Sequence, residues 1–128
     1  MKKEFQRFSI ISIEERIALV DYNGKEMVLS DIQELYDELE KMGNGKKMGI
    51  MNVFDRAMTP NEEIMAYINT NSRPEKILYA SAIVVESIAV RLVMMFYMKF
   101  YNRAAYRQVF SNRDKAMDCL MEVRDKNT

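Results

Sequence analysis

Few side chains in this chain can do chemistry. It has no histidine and a single cysteine, Cys119. Without an imidazole, the nucleophile arrangements that need a histidine base are excluded, as are the common histidine-based metal sites. A lone cysteine forms no intrachain disulfide and no paired redox or metal motif. Cys119 falls between Ala116 and Leu120 on an expected helix, a place that suits burial better than reactivity. Gly43-Asn44-Gly45-Lys46 joins an expected helix to an expected strand, whereas a phosphate-binding loop opens a helix. The residues therefore point to no metal, no cofactor and no catalytic constellation, and the expectation is a protein that is not an enzyme.

One polar cluster is well placed. Asp55, Arg56 and Thr59 follow an apolar run and precede a helix, so they fall at the carboxyl end of a strand, the edge where ligands bind in open α/β sheets. They are the candidate switch or ligand edge. The plainer reading is that Thr59 only caps the helix that Pro60 opens, a role worth about 1 kcal/mol.

A second candidate is apolar. Between Ser87 and Tyr101 a helix carries more hydrophobic surface than one packing face uses. Ile88, Ala89, Leu92, Val93, Phe96 and Phe100 form one stripe, and Val90, Met94, Tyr97, Met98 and Tyr101 form another. With the first stripe turned to the core, the second is the candidate interface. It can lie under another part of the chain, meet a second copy in a homodimer, or line a pocket for an apolar small molecule. The 12 methionines suit any of the three, because a flexible thioether packs against irregular surfaces.

The elements that must hold these residues follow from periodicity. Residues 5–12 and 15–22 alternate as two strands, and Asn23-Gly24 reads as a tight turn into a short third strand at 26–29. Ser30 with Gln33 forms a capping box for a helix that ends at Gly43. Residues 46–54 are a nearly continuous apolar run, as in a strand covered on both faces, and a helix then reaches about Thr70. Residues 77–85 read as the most hydrophobic strand. The helix from Ser87 follows it, then a short strand at 106–110 and a last helix that Ser111 and Asp114 cap and that runs to about Val123.

Length and charge bound the rest. At 128 residues, 48% apolar and 30% charged, the chain is expected to fold as one domain, residues 1–128. Nineteen basic side chains balance nineteen acidic ones, so the electrostatic footprint of a nucleic-acid binder is missing. The balance is uneven along the chain. Residues 1–64 carry 9 basic and 13 acidic side chains, a net of −4, and residues 65–128 carry 10 and 6, a net of +4. The stretch 77–101 holds only Glu86, Arg91 and Lys99 as charges, yet two of these would sit near a bilayer centre at about 2.5 to 3.5 kcal/mol each, so no membrane span is expected. The N-terminus has no apolar signal region, and cysteine usage fits a reducing compartment, so the cytoplasm is the expected location.

The wording of the second half is specific. Ile77-Leu78-Tyr79-Ala80-Ser81-Ala82-Ile83-Val84-Val85, the helix ending Phe96-Tyr97-Met98-Lys99-Phe100, and Val109-Phe110-Ser111-Asn112-Arg113-Asp114-Lys115-Ala116 resemble SpoIIAA-like domains of the STAS/SEC14-like group. The likeness spans about residues 46–121. It implies a mixed α/β sheet of four or five strands with about four helices, often in a homodimer. STAS antagonists of anti-sigma factors place a phosphorylatable residue where this chain reads Asp55-Arg56-Ala57-Met58-Thr59-Pro60, with neither the serine nor the glycine of their motif. The resemblance implies a regulatory or protein-interaction module with an unknown protein partner. The alternative it implies is an apolar-ligand or lipid binder of SEC14-like fold.

Overall fold

The computed structural model describes residues 2–22, 26–53, 62–70, 72–85, 87–92, 95 and 107–126. Six strands, β1 (Lys2–Glu4), β2 (Ser9–Glu14), β3 (Ile17–Asp21), β4 (Met48–Val53), β5 (Leu78–Val84) and β6 (Arg107–Phe110), form one sheet in that spatial order. The pairs β1–β2 and β2–β3 are antiparallel, and β3 to β6 run parallel to one another. Around the sheet are α1 (Leu29–Gly43), α2 (Glu62–Thr70), α3 (Arg73–Ile77) and α4 (Arg113–Lys126), and residues 88–92 are also helical. The architecture is the mixed α/β class that the residue pattern predicts, with six strands where four or five are expected.

Each face of the sheet has its own core. On one, Phe8, Ile10, Val20, Ile50 and Leu78 pack against Leu35 and Leu39 of α1, Ile64 of α2 and Ile77 of α3. On the other, Leu19, Met51, Ala82 and Val84 pack against Ala116 and Leu120 of α4. Having cover on both sides, β4 is buried along its whole length, as its unbroken apolar run requires. No helix among the described residues is long and apolar enough to cross a membrane.

Local chemistry shifts several boundaries. The strand expected over 5–12 begins only at Ser9, because its first residues form a turn in which the Phe5 N–H donates to the Phe8 carbonyl at 2.8 Å and the two rings stack; β1, at Lys2–Glu4, is an unforeseen short edge strand ahead of that turn. That edge is tied to α1 by Lys3–Glu38 at 2.9 Å and Arg7–Asp31 at 3.3 Å. No third strand forms at 26–29. Residues 26–28 lie outside any strand, and α1 starts at Leu29 because the Asp31 carboxylate accepts the Val28 N–H at 2.9 Å, replacing the expected Ser30–Gln33 cap. Asn44 in the left-handed region, φ 49°, ends that helix and returns its N–H to the Glu40 carbonyl.

Ile77 does not open the fifth strand. It closes α3, a short unforeseen helix with Pro74 in its first turn, and faces the α1 side of the core. At the last helix Asn112, not Ser111, is the cap, its Oδ1 accepting the Lys115 N–H at 2.9 Å, and the helix runs past Val123 to Lys126.

Candidate functional site

The carboxyl ends of the parallel strands β3, β4 and β5 meet at one edge of the sheet, the place the fold class reserves for ligands and partners. Asp55, Arg56 and Thr59 follow the end of β4 and lie outside the described residues. The structure does define the floor beneath that edge. Asn52 is the one strongly polar residue of β4 and Ser81 the one polar residue of β5 apart from the Tyr79 hydroxyl. Both are buried on the α1 side of the sheet. The Asn52 Oδ1 accepts the Tyr22 hydroxyl at 2.6 Å, and its Nδ2 donates to the Ser81 Oγ at 3.0 Å and to the Ala82 carbonyl at 3.2 Å.

Three strands are thus joined by side chains just below the edge. Burial, helped by Tyr36, pushes the Tyr22 phenol far above its ordinary range, so it stays protonated and donates. Both Asn52 N–H bonds are spent on β5. The arrangement fixes the strand ends and has no group poised to exchange a proton near neutrality. Sequence reasoning passed over this network. Its signal is a lone Asn and a lone Ser inside two otherwise apolar runs, which a fully buried strand tolerates only when the polar groups meet.

The opposite end of the sheet holds a second constraint. A bulge between Met48 and Gly49 in the β4–β5 pairing lets the Tyr79 ring lie across Gly49. The Tyr79 hydroxyl donates to the Arg16 carbonyl at 3.1 Å, and the Arg16 guanidinium sits 5.5 Å from the ring centroid. Arg16 is itself in the left-handed region, φ 57°, in the β2–β3 turn, and its Nε donates to the Lys47 carbonyl at 3.0 Å. Burial pushes the Tyr79 phenol up to about 12, against the opposing pull of Arg124 and Arg16. Arg124 of α4 donates to the Glu15 carbonyl at 3.0 Å, closing the cluster. Every one of these groups serves the hairpin and the sheet register.

Cys119 is half-buried on α4, with its thiol 3.6 Å from the Gln108 Oε1. Burial and then Glu122 push that thiol up, which keeps the thiolate scarce. Among the described residues, no group of three or more acidic or cysteine side chains is placed to hold a metal ion.

The helical segment after β5 departs from expectation in its orientation. Met94, Tyr97, Met98 and Tyr101 lie outside the described residues, and Val90, the remaining member of the expected interface, is half-buried. Ile88 and Leu92, expected to face the core, are 67% and 62% exposed, and Met95 is 52% exposed. These three recur at i, i+4 and i+7 on one helix face. Both stripes are apolar, so periodicity finds the two faces and cannot choose which one turns outward.

No curated protein and no solved structure matches the chain. One family model does match, over residues 11–124, which takes in β3 to β6 and all four numbered helices apart from the last two residues of α4. The chain belongs to that family, described as a domain of unknown function (DUF7793).

Proposed function

We propose that the chain is a non-enzymatic regulatory or protein-interaction module that docks through the helix face bearing Ile88, Leu92 and Met95. One observation carries this reading: three large apolar side chains on a single helix face are each more than half exposed. Single exposed apolar residues are ordinary, whereas an aligned row marks a surface that another surface covers. Burying a fully exposed side chain of this kind contributes about 1.5 to 3 kcal/mol, and the half to two thirds of each that is still exposed contributes about 1 to 2, enough for the row to anchor an interface that other contacts complete.

Other features support the same reading. The chain has no histidine, its cysteine thiol is held up by burial, and the polar groups beneath the carboxyl edge are spent on one another. An antiparallel pair leading into parallel β-α units supports the SpoIIAA-like reading, in which a regulatory partner docks near that edge. The segment 88–92 begins where β5 ends, at the same edge. Cysteine usage supports a cytoplasmic location.

The test is affinity capture from the native host with wild type and with Ile88→Glu plus Leu92→Glu. Both positions are exposed, so the variant is expected to keep its circular dichroism spectrum and to unfold within about 0.5 kcal/mol of wild type. The wild type is expected to retain a protein partner that the variant loses. Identical captures by the two would end this reading.

A further inference from the structure

We infer that residues 2–7 form a releasable strap, latched by two ion pairs, which covers the edge of β2 and keeps it from pairing with another strand. An edge strand presents unpaired backbone N–H and C=O groups, and one rich in β-branched residues invites a neighbour. β2 reads Ser9-Ile10-Ile11-Ser12-Ile13-Glu14, three isoleucines in six residues. β1 covers its first half, setting Lys2 on Ile11, Lys3 on Ile10 and Glu4 on Ser9. The second half is guarded in other ways. Its pairing with β3 is bulged between Ser12 and Glu14, and Glu14 and Glu15 are charged and exposed. β1 in turn is a poor template for a further strand, being three residues long, all of them charged and exposed.

The strap is held mainly by charge. Lys3 Nζ lies 2.9 Å from Glu38 Oε2, and Arg7 Nη1 lies 3.3 Å from Asp31 Oδ1. The carboxylates are nearly covered on α1, but the cation side chains are 49% and 34% exposed, and pairs with one partner in water are weak and screened by salt. Phe5 is the only apolar side chain among residues 2–7, and it is only partly buried against the core. Phe8, on which its ring stacks, is fully buried, so release stops there and Phe8 marks the hinge. The stretch shared with the family begins at Ile11, past the strap. Release therefore gives up two screened ion pairs, three residues of pairing and one ring contact, and leaves the core of the sheet whole.

Amide hydrogen exchange and sedimentation equilibrium on the full chain test the inference, both in a Leu92→Glu background that keeps the exposed helix row out of the reading. The Phe5 amide, which bonds to the Phe8 carbonyl, is expected to exchange at least about 100-fold faster than the amides of β4 and β5. Raising salt from about 50 to about 500 mM is expected to speed it severalfold and to leave β4 and β5 unmoved. Lys3→Glu sets like charge against Glu38, and is expected to speed Phe5 exchange about tenfold and to strengthen self-association about tenfold, as the bared β2 edge pairs with that of another copy. Adding Glu38→Lys rebuilds the pair with its charges exchanged and is expected to reverse both effects, which a general folding defect would not allow. A Phe5 amide protected as well as β4, a Lys3→Glu variant in which β4 and β5 exchange faster too, or one that associates no more than its parent overturns the inference.

Discussion

Gly49→Ala is expected to destabilise the protein by about 3 kcal/mol, read as a lowered urea midpoint at unchanged slope. An added methyl would lie 2.5 Å from the Tyr79 hydroxyl oxygen and 2.6 Å from the ring carbon that bears it. Those are not the loose ends of a flexible chain. The ring is held by its hydrogen bond to the Arg16 carbonyl and by the guanidinium over its face, so either the ring leaves or β4 and β5 separate. Overpacking a tight core costs about 1 to 3 kcal/mol, and losing the Tyr79 hydrogen bond adds about 1. The intrinsic gain of Ala over Gly in a strand, about 0.5 to 1 kcal/mol, works the other way and is smaller. In a Tyr79→Ala background the same substitution is expected to cost almost nothing, a coupling of about 2 kcal/mol or more. A Gly49→Ala protein within about 0.5 kcal/mol of wild type would show that the ring does not occupy that space.

Asn52→Asp is expected to cost about 3 kcal/mol or more at neutral pH, and its cost is expected to depend on pH. Asn52 donates two N–H bonds, to Ser81 and to the Ala82 carbonyl, and accepts one from Tyr22. A neutral aspartic acid keeps the bond from Tyr22 and one donor, losing one hydrogen bond worth about 1 kcal/mol. An ionised one has no donor, sets negative charge against the Ala82 carbonyl, and is buried. Burial disfavours the charged form, so the folded carboxyl titrates above the unfolded value of about 3.9. The folded state then binds more protons than the unfolded state, and stability falls as pH rises from about 4. Asn52→Leu removes the same bonds without a charge, so its cost is expected to stay flat over that range. Parallel urea titrations from pH 3.5 to 7 distinguish the two, and equal pH dependence would show that position 52 is not sealed from water.

Those two positions also show what could be read in advance. The runs ending in Val53 and Val84 mark the middle strands because strands covered on both faces need almost nothing polar, and β4 and β5 fall inside the expected 46–54 and 77–85. The exceptions inside them were the informative residues. A glycine in a buried strand signals close approach, here by the Tyr79 ring, and a lone Asn and Ser signal partners across strands. Which partners they find is set by register, which no local pattern carries. Register also depends on the bulge beside Gly49.

Caps and edges were read less well. Ser30 and Ser111 carry the favoured cap residue types, yet Asp31 and Asn112 do the work, Asp31 in part because Arg7 from a distant turn holds its carboxylate. The short strand β1 has no apolar residue to mark it, since Lys2, Lys3 and Glu4 are all charged, and the alternation from Phe5 onward runs straight through the Phe5–Phe8 turn. As for the candidate sites, two apolar stripes on the helix after β5 were legible, but their orientation was not. The stripe with Ile88 and Leu92 faces out, and which of two apolar faces turns outward is decided by packing between distant segments, which no local pattern carries. Asp55, Arg56 and Thr59 fall beyond the described residues, so the edge they were assigned to is known here by its floor.

The most direct measurement is the rate at which a membrane-permeant maleimide modifies Leu92→Cys in a Cys119→Ser background, taken as a ratio to Glu122→Cys, a well-exposed position on α4. In dilute purified protein the ratio is expected to be near one, since Leu92 is largely exposed. Inside the host cell it is expected to fall severalfold, as a protein surface covers the row. An unchanged ratio in the cell would contradict the account, because it would mean that the outward face of this helix stands in water where the protein works.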